Sequence, residues 1–535
     1  MTSADARSDG GETLVWHRLH PVTPFVRGWT VVAVALAFIG QQAAEQAQQT
    51  SQLAGAVAGL WWKVLLGIVV LAVVSFSYSA LAWRMTAYAV GDDDVHTRKG
   101  VVFRQQRHAR LDRLQAVDIR QPVLARLFGL AELTLEVAGG SGSAIAIGFL
   151  REEDARTLRA DLLARAAGLR RPTAPAPAPA LPDLSAPEHP PALPAPDNAT
   201  PTPAVSVAAG PPPRPRTDNA GDEGAIGEAP EEEMYSVPPG RLVASLIRSP
   251  GVWILLAAIA GVVVAVVATG EPTILASSLP MVLGGGSWLF QRFAGEFGFR
   301  AALSPDGVRL RRGLLETRAQ TIPPGRVQAV SLIQGPLWRG PDWWRVHVNV
   351  AGYGQGDKAA GTQTVLLPVG TREQALTALW LVLPDLGAPD PVGLLAEGLT
   401  GLVARDGSSA PGARFTNAPR RACWVDPLAW RRDAFTVTER ALLLRRGRIV
   451  RRLDVVPHER TQSLAVEQGP LQRRLRVATF AVHSTPGAVT PRVPHLAADD
   501  AARLLGEQAA RARAARAVAG PERWMEQRPT GEPRA

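Results

Sequence analysis

The sequence predicts a multidomain membrane protein: α-helical transmembrane hairpins combined with three copies of a small antiparallel β-module, each capped by a C-terminal helix. Three observations lead there: apolar runs of bilayer-crossing length, a motif that recurs three times at fixed offsets, and a proline-dense stretch between the first copy and the second. At 535 residues the chain exceeds what one hydrophobic core usually organises, so several domains are needed. The hydrophobic fraction of 46% averages over segments of very different character.

Val64 to Ala82 carries no charge and is bounded by Trp61 and Trp62 at one end and by Trp83 and Arg84 at the other. About 20 apolar residues cross a bilayer, and tryptophan favours its two interfaces. Lys63 can extend its ammonium outward from the end of this run. Val252 to Thr269 is equally free of charge. After the turn Gly270, Glu271, Pro272, the run Thr273 to Gln291 returns, which makes a tight helical hairpin. The partner of the first run, Pro21 to Gly40, is interrupted by Arg27, and an interfacial helix or a signal-anchor remnant is its alternative. The two connecting loops, Gln41 to Gln52 and Gly270 to Pro272, contain no Lys or Arg, whereas Arg18, Arg84, Arg98, Lys99, Arg248 and Arg292 flank the other ends. The positive-inside rule then puts the loops outside and the modules in the cytoplasm of a multi-pass plasma-membrane protein.

Between Arg171 and Arg216 proline recurs too densely for any hydrogen-bonded element, as at Pro175, Pro177 and Pro179. An acidic stretch with Glu231, Glu232 and Glu233 follows. Few large apolar residues are present to offset ordering, so an extended tether is expected.

Self-comparison carries the strongest signal. Arg98, Lys99, Gly100 align with Arg311, Arg312, Gly313 and with Arg445, Arg446, Gly447. At one offset beyond each glycine stand Arg113 with Gln115, Arg326 with Gln328, and Arg460 with Gln462. The register continues without a gap to Gln121, Gln334 and Gln468, and to Arg126, Arg339 and Arg473. Extended segments surround each glycine, which is free to take positive φ in a hairpin turn. Downstream, Leu133, Leu135 and Val137 alternate with polar or small neighbours, as do Val346, Val348 and Val350, the period of a half-buried strand. Each copy ends in a helix-forming run: Arg151 to Ala167, Arg372 to Leu383, and Asp499 to Ala519. Thr371 with Gln374 makes a capping box there, and Asp499 is the expected N-cap of the last helix.

The residues from Arg84 through Tyr88, Val90, the basic-Gly turn, Phe103, Leu111, Arg113, Gln115, Val117 and Ile119 resemble the bacterial pleckstrin-homology (PH) domain of the membrane-flanked YdbS/YdbT-like family. The resemblance implies PH-like β-sandwich or bent-barrel domains, each plugged by its C-terminal helix. The second copy departs from the pattern at Pro323 and Pro324 and by its insertion of Trp338, Trp343 and Trp344. The third has no preceding apolar pair of crossing length.

The chain therefore divides into an N-terminal cytoplasmic segment (1–20), a first transmembrane hairpin (21–83), a first PH-like domain (84–170) and a Pro-rich, acidic linker (171–236). A second hairpin (237–292), a second domain (293–386), a linker (387–418), a third domain (419–520) and a tail (521–535) follow.

No catalytic constellation, cofactor or metal site is expected. Cys423 is the one cysteine, so neither a disulfide framework nor a cysteine-based metal site is available. His17 and His20 form a close pair with no carboxylate or thiol beside them. Gly139, Gly140 and Gly142 sit between strands, where a hairpin turn is the natural reading. Gly284 to Gly286 lie inside a span, where small residues let helices approach. The net charge of +10 would suit nucleic acid, but no strand face combines arginine with aromatics spaced for base stacking. Arg98, Lys99, Arg104, Arg107 and Arg110 are the candidate contacts to anionic headgroups or to a membrane-protein partner. The recurrent Arg113, Gln115, Arg326, Gln328, Arg460 and Gln462 are read as structural. The expected function is a binding scaffold for anionic lipid headgroups or envelope proteins. The alternative is an accessory subunit of an export or stress-resistance system.

Overall fold

The computed structural model describes residues 5–9, 12–21, 54–91, 94–100, 104–111, 114–137, 145–166, 232–351, 365–401 and 414–518, apart from isolated loop positions. The run Pro21 to Gly40 apart from Pro21 and Thr23, the proline-rich segment 171–216 and the tail 521–535 lie outside these residues.

The first copy begins before its long apolar helix. Strands β1 (Asp5–Asp9) and β2 (Glu12–Arg18) precede the long helix α1 (Ala54–Arg84), and β3 (Ala87–Val90), β4 (Asp94–Lys99) and β5 (Gln105–Arg110) follow it in one five-stranded sheet. The segment 1–20, read as a separate N-terminal piece, thus contributes strands to the first domain. The second half of the copy is β6 (Leu114–Pro122), a short helix α2 (Val123–Leu127), β7 (Leu130–Val137), β8 (Ile145–Arg151) and the closing helix α3 (Glu152–Ala166).

The second copy repeats the plan. Strand β9 (Glu232–Ser236) precedes helices α4 (Pro239–Ile247), α5 (Pro250–Thr269) and α6 (Thr273–Glu296). Then come β10 (Arg300–Ser304), β11 (Gly307–Arg312), β12 (Glu316–Ile322), β13 (Val327–Gln334), β14 (Trp343–Val350), β15 (Val365–Thr371) and α7 (Arg372–Val382). The acidic residues assigned to the linker therefore end in a strand, whose Tyr235 is buried while Glu232 and Glu233 face solvent. The hairpin turns on Gly270, which caps α5 in the left-handed region at φ 69°. Among the described residues, α5 and α6 are long and apolar enough to cross a membrane, and α1 has a shorter apolar part, Val69–Arg84. Two of the four expected crossings are thus of full length among those residues. Gly285 packs against Leu255, and Gly251 against Trp288, so glycine does bring α5 and α6 together; Gly284 and Gly286 face open space.

In the third copy, α8 (Pro391–Thr400) and β16 (Thr416–Asn417) lead through a 3-10 turn at Arg420–Trp424 to β17 (Ala434–Val437), β18 (Ala441–Arg446) and β19 (Arg451–Pro457). β20 (Ser463–Glu467), α9 (Pro470–Arg474), β21 (Val477–His483), β22 (Arg492–Ala497) and α10 (Ala498–Val518) complete it. The short turn stands where the other copies insert long apolar helices. The reading of 387–418 as a linker is corrected here. Asp390 caps α8 by accepting from Gly393 N at 2.9 Å, and Leu394, Leu395 and Leu399 are buried in the core.

Each copy is a sandwich of two three-stranded meanders. In the first, Val95 and Ala109 of one meander pack with Val117, Leu133 and Ile147 of the other and with Leu162 of α3. The meanders do not close on their own copy. β6 pairs with β12, and β13 pairs with β19, so two seven-stranded sheets each join the second half of one copy to the first half of the next. β18 is consequently buried on both faces: Leu442 and Leu444 point into the third core, Ala441 and Leu443 into the second. The repeat glycines have φ of 119° at Gly100, 113° at Gly313 and 76° at Gly447. A Cβ on Gly313 would collide with the Glu316 carbonyl, which is why the motif requires glycine.

Candidate functional site

The register of the first sheet fixes where its basic residues go. Arg18 lies opposite Ala87, Ala87 opposite Arg98, and Arg98 opposite Gln106, so these four form one row across β2 to β5. Side chains two residues apart on a strand share a face. Trp16 therefore sits beside that row, and the Arg98 guanidinium stacks on its ring at 4.0 Å from the centroid. Arg84, in the last turn of α1, and Arg104, just ahead of β5, complete a cavity of about 380 Å³ lined also by Lys99, Gly100 and Gln105. Four cationic side chains, those of Arg18, Arg84, Arg98 and Arg104, thus converge where α1 meets the sheet, while Lys99 lies in the row of Gln105 on the other face. Arg98 Nε is buried without a hydrogen-bond partner among the described residues, whereas the Lys99 ammonium donates to the Ala146 carbonyl.

Of the five candidates from sequence, the structure brings Arg98 and Arg104 together; Lys99 borders the cavity but its ammonium turns to Ala146, and the other two lie elsewhere. Arg107 belongs to the row of His17, Tyr88 and Thr97, which faces the opposite side. Arg110 lies at the far end of β5, opposite Asp94. Sequence reasoning missed Trp16, Arg18 and Arg84 as members of the site. The pairing of β2 with β3 is what brings the first two in, and the residues before a membrane helix were not compared between copies.

That comparison is informative. Asn417 pairs with Ala434 as Arg18 pairs with Ala87, which makes Phe415 the counterpart of Trp16. Arg445, the counterpart of Arg98, likewise lies over the Phe415 ring at 4.7 Å. There the face is filled: Arg445 is fully buried and donates to the carbonyls of Arg432 and Glu397 and to Asn417 Oδ1. In the second copy the same face is an open cavity of about 500 Å³ containing Arg300, Arg309 and Arg311, with Arg156 and Arg159 contributed by α3. Gln121 and Gln320, both lining it, bury side-chain nitrogens that have no partner among the described residues. Arg300 stands directly opposite Arg311 and is paired with Glu233 at 3.9 Å, and Arg156 is paired with Glu152, so carboxylates lining the same cavity already balance part of its charge.

The recurrent Arg–Gln motif sits at the corner between two sheets. The Arg326 carbonyl accepts from Gln328 Nε2 at 3.3 Å and from Ala351 N at 3.0 Å, tying the entry of β13 to the end of β14. Arg460 ends a 3-10 turn at the equivalent corner, while Gln462 is exposed. Arg113 and the Gln115 side chain lie outside the described residues. Among those residues, no group of three or more His, Cys, Asp or Glu is placed to hold a metal ion.

The profile described as "Bacterial PH domain" matches residues 32–166, 246–379 and 397–512, most of the chain. The chain belongs to the bacterial PH domain family. The third match begins inside α8, in accord with that helix being part of the third PH domain. The UPF0699 transmembrane protein YdbT of Bacillus subtilis (strain 168) is 29% identical over 69 residues, covering 13% of this chain and 14% of that protein's length. No solved structure matches.

Proposed function

We propose that this bacterial PH-domain protein is a non-enzymatic, multi-pass membrane scaffold whose three PH domains lie in the cytoplasm and whose first domain binds anionic lipid headgroups. The observation that carries the reading is the convergence of Arg18, Arg84, Arg98 and Arg104 with Trp16 at the end of α1. A helix that leaves the bilayer at Arg84 delivers this cavity to the headgroup layer. Each basic residue near an anionic leaflet contributes about 1 kcal/mol, and the stacked indole adds an interfacial anchor. The name of YdbT as a transmembrane protein and the apolar surfaces of α5 and α6 support the membrane setting.

Native mass spectrometry of the full chain released from bilayers of phosphatidylglycerol and phosphatidylcholine tests this. Phosphatidylglycerol should be retained preferentially. Arg98→Ala with Arg104→Ala removes ~2 kcal/mol, roughly a 30-fold loss of that preference. Equal retention of the two lipids would refute headgroup binding. Reporter fusions that place residue 85 outside the cell would refute the topology.

A further inference from the structure

The two joints between copies are the same joint. Aligned on Gly100, Gly313 and Gly447, β5 corresponds to β12 and β19, and β6 corresponds to β13 and β20. At the first joint Ile119 faces Ala319; at the second Leu332 faces Leu453, and these are the aligned positions. Arg120 opposite Arg318 and Ile333 opposite Arg452 repeat the correspondence. The chain thus carries one strand-to-strand coupling used twice in one register, with one unused half at each end. β5 ends the first sheet and β20 ends the last.

The unused halves differ from the used ones in exposure. Leu332 and Leu453 are fully buried, while Val466 is 37% exposed and Gln106 is exposed. An arginine follows each joining strand. Arg126 Nη1 donates to Thr317 Oγ1 at 3.4 Å, and Arg339 Nη2 donates to the Ile449 carbonyl at 2.8 Å, each reaching into the next copy. The aligned Arg473 is exposed beside β20. The open edges also complement one another in charge, with Glu467 on β20 and Arg104, Arg107 and Arg110 on or beside β5.

We propose that β20 of one molecule pairs antiparallel with β5 of a second copy, continuing the internal joint between chains with Val466 opposite Gln106 and Glu467 opposite Gln105. Main-chain hydrogen bonds supply the attraction, as in strand addition generally, and the shared register supplies specificity. The contact is heterologous, so it generates a ring or an open row rather than a two-fold dimer. Helix α1 between β2 and β3 and helices α5 and α6 between β9 and β10 stand at equivalent places in the repeat, so continuing it within a membrane is consistent with both. The inference stands on strand register and not on lipid binding.

Cysteine crosslinking of the full chain in its native membrane, in a Cys423→Ala background, tests it. Residues directly opposite on antiparallel strands lie within disulfide reach. Val466→Cys with Gln106→Cys in one chain should give a ladder of crosslinked multimers, and the two single variants co-expressed should give dimers. Each single variant alone should stay uncrosslinked. Glu467→Arg added to the double variant should weaken the ladder while leaving the far-ultraviolet dichroism unchanged. No crosslink in the double variant, self-crosslinking by a single variant, or trapping of a different protein in place of a second copy would each overturn the proposal.

Discussion

Asp433 is fully buried, and its Oδ1 accepts from Gly447 N at 3.1 Å, so the carboxyl holds the third repeat glycine in its turn. Burial pushes its pKa up to about 7, against the opposing pull of that hydrogen bond and of Arg446 and Arg445. The folded chain then keeps a proton on Asp433 that the unfolded chain releases near its ordinary value of 3.8. Stability contributed at this position is full below about pH 4 and declines as the pH rises to about 7. Asp433→Asn removes the titration and retains an acceptor. Denaturant unfolding from pH 4 to pH 8 should show the variant gaining on the wild type by a few kcal/mol, about 1.4 per unit of pKa shift, and levelling off above pH 7. Parallel curves would contradict the assignment. Arg445 makes the complementary case. Its guanidinium is satisfied by two carbonyls and Asn417, so Arg445→Ala leaves three acceptors unpaired and should cost about 3–5 kcal/mol in the same measurement. The basic-basic-Gly signature was legible, but not that Arg98 would line an open cavity while Arg445 became part of a core. The difference is made by α8, which covers one face, whereas among the described residues no helix covers the other.

α8 itself was hidden by its setting. Pro389, Pro391, Gly393 and Gly398 gave the stretch the composition of a linker, yet Leu394, Leu395 and Leu399 sit at helical spacing and are buried against β18 and β19. Leu395→Ala should lower stability by about 2–5 kcal/mol, the usual cost of an emptied core site. A change below 0.5 kcal/mol in thermal or denaturant unfolding would mean that the helix is not part of the fold. Other elements were written plainly in the residues. The capping box at α7 forms as read, with Gln374 N donating to Thr371 Oγ1 at 3.3 Å and Thr371 N donating to Gln374 Oε1 at 3.2 Å. Asp499 instead lies in the first turn of α10, which starts at Ala498. The alternation in β7 and β14 identified their buried faces correctly. It could not identify their sheets, because side-chain period reports which face is buried and not which strand lies along each edge. That is why the exchange of meanders between copies was out of reach.

At the scale of the molecule, that exchange makes the copies interdependent. The first meander of the third copy borrows β13 along its edge and α8 over its outer face. Leu443, Leu453 and Val455 lie at this surface and are completely buried. A chain starting at residue 419 would expose all three, at about 2 kcal/mol each, together with the unpaired edge of β19. That loss, roughly 6 kcal/mol, is comparable to the whole stability of a domain of this size. A fragment of residues 419–520 should therefore aggregate or remain partly unfolded. A fragment of residues 232–520, which keeps β13 and α8 together with β9 and α4 of the same core, should fold in detergent and melt cooperatively, monitored by circular dichroism. Clean, independent folding of the shorter fragment would show that the joints are contacts between finished domains, and the coupling through shared sheets would then have no energetic weight. Because the same coupling is what the open edges of β5 and β20 would extend between chains, the fragment result bears on how firmly a second copy could be held.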